Sequence, residues 1–309
     1  MLGNLQGWLR AEPAGTRQVT DRPREFRFTQ RSVLRLLFTG IALIVAASLV
    51  TTYLHYVLGY ESVLGLVDQF DLDREGNLPA WFSAMMLTAC AVLLFAIYLA
   101  KRRRRDAQTA CWGGLAAIFL YLSVDEASGL HELTFSLAHA FFDLTGALYG
   151  GWMIPFGALL LVFAAFYLRF LLNLPRRFQV LFVLAGALYV GGAIGMELVS
   201  WEYRWSVMEA TPGDFDAKVA ASKDMTYTLL VIAEETMEML GAAVFLHALL
   251  RYVAEGRVTM AVRFGERGGR PAPAIAIDAA AGAGAATTPG TTAWRGGGPN
   301  GATARDAAV

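Results

Sequence analysis

The chain has 309 residues, of which 56% are apolar and 17% charged, with a mean hydropathy of +0.44. So low a charged fraction excludes an ordinary soluble domain, in which about a quarter of residues are charged. The 26 basic and 26 acidic residues balance, leaving no basic excess to neutralise phosphates, so nucleic acid is excluded as a partner.

The first 32 residues are polar and carry Arg10, Arg17, Arg22, Arg24, Arg27 and Arg31. They show no short apolar core followed by a small-residue cleavage site, so no signal peptide is expected. Six apolar runs follow, each near the ~20 residues a helix needs to cross ~30 Å of hydrocarbon. They are Val33–Leu58, Ala80–Ala100, Gln108–Leu130, Tyr149–Leu172, Phe178–Ser200 and Met225–Tyr252. The runs are continuous, not alternating, which favours helices over a barrel. Pro155 is expected to bend the fourth helix and Pro175 to end it. In the fifth, Gly191 and Gly195 form a small-xxx-small pair suited to close packing. From about Gly265 the sequence is rich in Gly, Ala, Pro and Thr, and a disordered tail is expected. The predicted fold class is therefore all-α: a bundle of six transmembrane helices over residues 33–252, flanked by segments 1–32 and 253–309.

Orientation follows from arginine and lysine in the short loops. Lys101 to Arg105, Arg176 and Arg177, and Arg251 fall on the same side as the arginine-dotted N-terminal segment. The other loops are acidic or mixed. Both termini are expected in the cytoplasm, and the alanine- and arginine-rich composition points to a bacterial inner membrane. The four-Arg run at Arg102–Arg105 reads more simply as this topology signal than as a lipid-binding patch.

The spans carry charges that a lipid-facing helix does not tolerate cheaply. A central acid costs on the order of 2.5–3.5 kcal/mol on insertion scales. Glu234, nine residues into the sixth span, lies roughly 13 Å deep, and Glu238 roughly 20 Å deep. At ~100° per residue Glu234, Glu235 and Glu238 share an arc of about 100°, which must face the bundle or a wet cavity. Glu197 sits near the outer end of the fifth span. In "SVDEASGLHE" at the end of the third, Asp125, Ser128 and Glu132 share a face, with Glu126 and His131 to either side. All embedded acids thus belong to the outer half.

Carboxylates with imidazoles are a ligand set for Zn, Mn or Fe. The expected metal ligands are Glu126, His131, Glu132, Glu197, Glu234, Glu235 and Glu238. Glu235, Glu238 and Asp125 are the candidate catalytic residues, acting on a lipid-soluble or outer-face substrate. The spacing lacks the Glu-x-x-His pairs of di-iron bundles. A proton- or cation-coupled transporter using the same glutamates is the alternative, and a non-catalytic membrane subunit the third reading. The "DLDREG" turn from Asp71 opens like a calcium loop, but its twelfth position is Phe82, so it reads as a surface turn. The two cysteines, Cys90 and Cys111, make neither a disulfide framework nor a zinc motif.

Overall fold

The computed structural model describes residues 29–257 and the segments 261–262 and 275–276; residues 132, 134, 136, 137 and 257 and those two segments are described by backbone alone. The helices in chain order are α1 (Gln30–Tyr56), α2 (Leu66–Gln69), α3 (Leu78–Arg103), α4 (Thr109–Ser128), α5 (Leu133–Phe141), α6 (Met153–Leu172), α7 (Arg176–Val190), α8 (Glu197–Ala210), α9 (Phe215–Ser222) and α10 (Met225–Tyr252). Outside them the described residues hold only short turns and a two-residue antiparallel pairing of Ala261 with Ala276 and Val262 with Ile275. The remainder of the predicted disordered tail, and the first 28 residues, lie outside the described residues.

Helix starts are set by short polar side chains that accept from the first free backbone N–H groups. Thr29 caps α1 through Ser32 N–H, Asn77 caps α3 through Ala80 N–H, and Asp224 caps α10 through Tyr227 N–H. Pro79 sits in the first turn of α3 and Pro155 in the first turn of α6, where no hydrogen bond is lost. The expected bend at Pro155 is therefore absent. Pro175 precedes α7, as a helix boundary should.

Among the described residues, five helices are long and apolar enough to cross a membrane: α1, α3, α4, α6 and the continuous stretch Arg176–Ala210. The chain thus has the build of a multi-pass helical membrane protein. The stretch Arg176–Ala210 is α7 and α8 joined without a break by a π-helical turn at Gly191–Met196. It runs ten residues past the predicted end at Ser200, so "WEYRWSVMEA" is helix, not loop.

The 28-residue α10 is the axis of the bundle, in contact with α1, α3, α7 and α8. Its buried residues, from Tyr227 and Val231 to Leu249 and Tyr252, take up more than half of its circumference, while Leu229 and Ala233 on the remaining arc are exposed. Glu234, Glu235 and Glu238 fall on the side packed against protein, where acids that lipid would reject can be carried. Two glycines bring α7 and α10 together. A Cβ on Gly241 would lie 2.7 Å from Tyr189 N and 2.9 Å from Ala185 O; one on Gly192 would lie 2.8 Å from Glu234 O. The close-packing positions are thus Gly192 and Gly241; of the predicted pair, Gly191 meets only the tip of Met237 and Gly195 faces open space.

The two ends of the bundle differ. At one, Trp112 packs with Phe170, Phe182 and Tyr252, and Arg177 and Arg251 both pair with Glu255. At the other, Tyr56 at the end of α1 bonds Lys223 O and Thr228, and Lys223 pairs with Asp73 at 2.7 Å. The acids gather at this second end.

Candidate functional site

α8 and α10 run antiparallel with matched stripes. On α8, Glu197, Trp201 and Arg204 are spaced four and seven residues apart and share one face. On α10, Tyr227 and Glu234 share a face at the same seven-residue spacing. Arg204 stacks on Tyr227, with the guanidinium carbon 4.8 Å from the ring centroid, and on Trp201 at 4.4 Å. Two helical turns deeper, roughly 10 Å along the axis, Glu234 comes within side-chain hydrogen-bonding reach of Glu197.

These stripes line a cavity of about 400 Å³. Its walls are aromatic, with Phe135, Trp152, Trp201 and Tyr227, and its acids are Glu126 from α4, Glu197 from α8, and Glu234 and Glu235 from α10. At the mouth lie Asp73, Arg74, Glu75 and Lys223. The mouth is tied down: Tyr227 donates its hydroxyl to Asp73, and Arg74 pairs with Asp68. Beside it, burial pushes the Asp71 carboxyl above the usual carboxylate range.

Each acid has a distinct setting. Glu197 Oε1 accepts two indole N–H groups, from Trp152 at 3.1 Å and from Trp201 at 2.8 Å. Glu234 is buried at 8% exposure, and its Oε2 has no hydrogen-bond partner within the described residues. Glu235 is part-buried on the cavity wall. Glu238 lies one turn deeper, against Gly192 and within reach of the Tyr189 hydroxyl. Among the described residues no lysine or arginine pairs with Glu126, Glu234, Glu235 or Glu238.

The structure brings Glu126, Glu197, Glu234, Glu235 and His131 to one cavity, with Glu238 just beneath. Among the described residues no three His, Cys, Asp or Glu side chains converge on a common point. His131 instead pairs with Asp125, whose Oδ1 accepts the His131 backbone N–H at 2.8 Å and whose Oδ2 lies 3.2 Å from Nδ1. The reason is Gly129, which ends α4 in the left-handed conformation (φ 58°). His131 and Glu132 therefore follow on a 3₁₀ turn and do not continue the α4 face that was expected to carry Asp125, Ser128 and Glu132. The side chain of Glu132 lies outside the described residues. His139 sits on α5 with Nε2 2.7 Å from Tyr149 O.

Over residues 36–253, from within α1 to just past α10, the sequence matches the profile of a domain of unknown function, DUF8692. The chain belongs to the DUF8692 family. No curated protein and no solved structure matches it.

In this DUF8692 chain, inspection of the sequence missed Arg204, Trp201, Trp152, Ser200 and Tyr189. The signal for the first two was the four- and seven-residue spacing from Glu197, which counts only once the helix is carried past Ser200. Trp152 and Tyr189 are brought in by tertiary packing and left no local mark.

Proposed function

We propose that this DUF8692 protein spans the membrane six times, with α10 as the sixth span, and that the carboxylates of its outer half take up protons or a cation from the outer side. One observation carries this reading. Glu126, Glu234, Glu235 and Glu238 meet in the bundle from α4 and α10 without a lysine or arginine partner among the described residues. Several carboxylates cannot all stay ionised so close together in a low-dielectric interior; they must carry protons or share a cation. The basic loops at Lys101–Arg105 and Arg176–Arg177 lie at the opposite end, which supports an outward-facing cavity, cytoplasmic termini and placement in a cell (inner) membrane.

A hydrophobic carbodiimide tests this, since it modifies protonated carboxyls in apolar surroundings. Mass spectrometry should locate the adduct on Glu234, Glu235 or Glu238. Raising the pH or adding a bound cation should suppress it. Absence of any adduct on the four glutamates, with no bound cation in the purified protein, would overturn the proposal.

A second reading is a metal-dependent enzyme with Zn, Mn or Fe, in which Glu235, Glu238 and Asp125 serve the chemistry. His131 on the cavity wall, paired with Asp125 behind it in sequence, favours it, because ligating histidines are commonly oriented by a carboxylate. Elemental analysis of the purified protein decides: near-stoichiometric metal, lost in Glu235→Gln and Glu238→Gln, supports this reading.

A further inference from the structure

Arg204 is 7% exposed, yet among the described residues no carboxylate lies within ion-pair distance of it. Its Nε donates to Ser222 Oγ at 3.2 Å; its terminal nitrogens make no other hydrogen bond there, and the residue lines the cavity. A buried, uncompensated guanidinium is strongly unfavourable unless something meets it. Stacking between Trp201 and Tyr227 holds the plane fixed, and a fixed guanidinium fork matches the oxygens of phosphate or carboxylate.

Two more buried groups in the same cavity lack partners. Ser200 Oγ, on the turn before Arg204, has none, and neither has Glu234 Oε2. The cavity therefore presents one cation without a counter-ion at its upper level and acids without a lysine or arginine partner roughly 10 Å of helix below. The other basic residues at the mouth, Arg74 and Lys223, are already paired with Asp68 and Asp73. Charges of opposite sign, kept apart and each without a counter-ion, are complementary to a ligand carrying both.

We infer that the cavity binds a zwitterion: a phosphate-type oxyanion on Arg204 and Ser200, and a protonated amine directed down to Glu234 and Glu235. The aromatic walls of Trp152, Trp201 and Phe135 cover the linker between the two charges. The volume of about 400 Å³ is in the range that encloses a small ligand and suits a headgroup-sized molecule. The same chemistry is offered by an aminophospholipid headgroup and by a free amino-phosphate. This inference rests on the carboxylates' taking up cations, and names the cation as an amine.

The test uses the full-length, detergent-purified protein with soluble glycerophosphoethanolamine as the zwitterion and glycerophosphoglycerol as the amine-free control. Quenching of Trp152 and Trp201 fluorescence, or titration calorimetry, reads the binding. The zwitterion should bind saturably and more tightly than the control. Arg204→Gln should weaken both probes, the zwitterion by about 30-fold or more, as expected when one member of a buried charge pair is removed. Glu234→Gln should weaken the zwitterion and leave the control unchanged. Should Arg204→Gln not fold, Arg204→Lys keeps the charge, loses the fork, and should give an intermediate loss.

Phosphatidylethanolamine in nanodiscs, compared with phosphatidylglycerol, separates the sources. Preference for the amino-lipid without binding of the free headgroup assigns the site to a lipid; binding of both assigns it to the headgroup alone. No saturable binding of either zwitterion, or equal binding of zwitterion and control, overturns the inference. Carbodiimide labelling that persists in that case would leave the proton-uptake proposal standing while this one falls.

Discussion

The crossing of α7 and α10 sets the position of the glutamates, and two glycines make that crossing testable. Replacing Gly241 by Ala places a Cβ 2.7 Å from Tyr189 N and 2.9 Å from Ala185 O. Both are backbone atoms of a helix and cannot step aside, so the helices must part by several tenths of an ångström. Gly192→Ala meets Glu234 O and Glu238 Cγ, both at 2.8 Å. Overpacking of this kind costs about 1–3 kcal/mol. Alanine returns up to about 1 kcal/mol through its better helix propensity, so the net loss should be roughly 1–2 kcal/mol. Gly186, on α7, faces open space, and Gly186→Ala should be neutral or slightly stabilising. Thermal unfolding in detergent should therefore show Gly192→Ala and Gly241→Ala melting roughly 2–8 °C below wild type, with Gly186→Ala at or above it. Equal melting of all three variants would refute the crossing described here.

Three further outcomes are expected. Glu197→Gln keeps an oxygen for the Trp152 and Trp201 indole N–H groups and should retain near-wild-type stability, whereas Glu197→Leu orphans both and should lose about 2 kcal/mol or more in the same melting assay. The Lys223–Asp73 pair at the mouth is half exposed on its lysine side, so Lys223→Met should cost less than about 1 kcal/mol, and a larger loss would mean the mouth is drier than described. In the loop between α3 and α4, the hydrogen bond from Lys101 holds the Asp106 carboxyl below the usual range. Because the folded state lowers this value, its stabilisation is complete above the ordinary carboxylate value of about 3.9 and fades as pH falls through the folded one. Asp106→Asn should thus lower stability slightly at neutral pH, by on the order of 0.5 kcal/mol, and the difference from wild type should vanish in strong acid.

The helical build was legible because the runs are long and apolar, and boundaries such as Met225–Tyr252 coincide with the structure. The acids of α10 were legible for the same reason, since three glutamates on one arc of an apolar helix have few places to go. What misled was local chemistry. Gly129 breaks α4 before His131, so a face drawn through Glu132 does not exist. The fifth span was cut at Ser200 because its sequence turns polar there, and that polarity is Arg204 and Glu202 reaching the cavity and the Ala147 N–H. The aromatic walls come from residues distant in sequence, Phe135, Trp152 and Tyr227, whose meeting depends on the bundle as a whole. The π-helical turn at Gly191–Met196 left no periodic signal, although such turns cluster at functional sites and this one abuts Glu234 and Glu238.

The most direct measurement is the infrared spectrum of the purified protein in the carbonyl region of protonated carboxylic acids, for wild type beside Glu235→Gln and Glu238→Gln, with bound metal quantified in the same samples. At neutral pH the wild type should show a protonated-carboxyl band or a bound cation, reduced in each variant. A wild type with neither, or a band untouched by both substitutions, would contradict the claim that these glutamates take up protons or a cation.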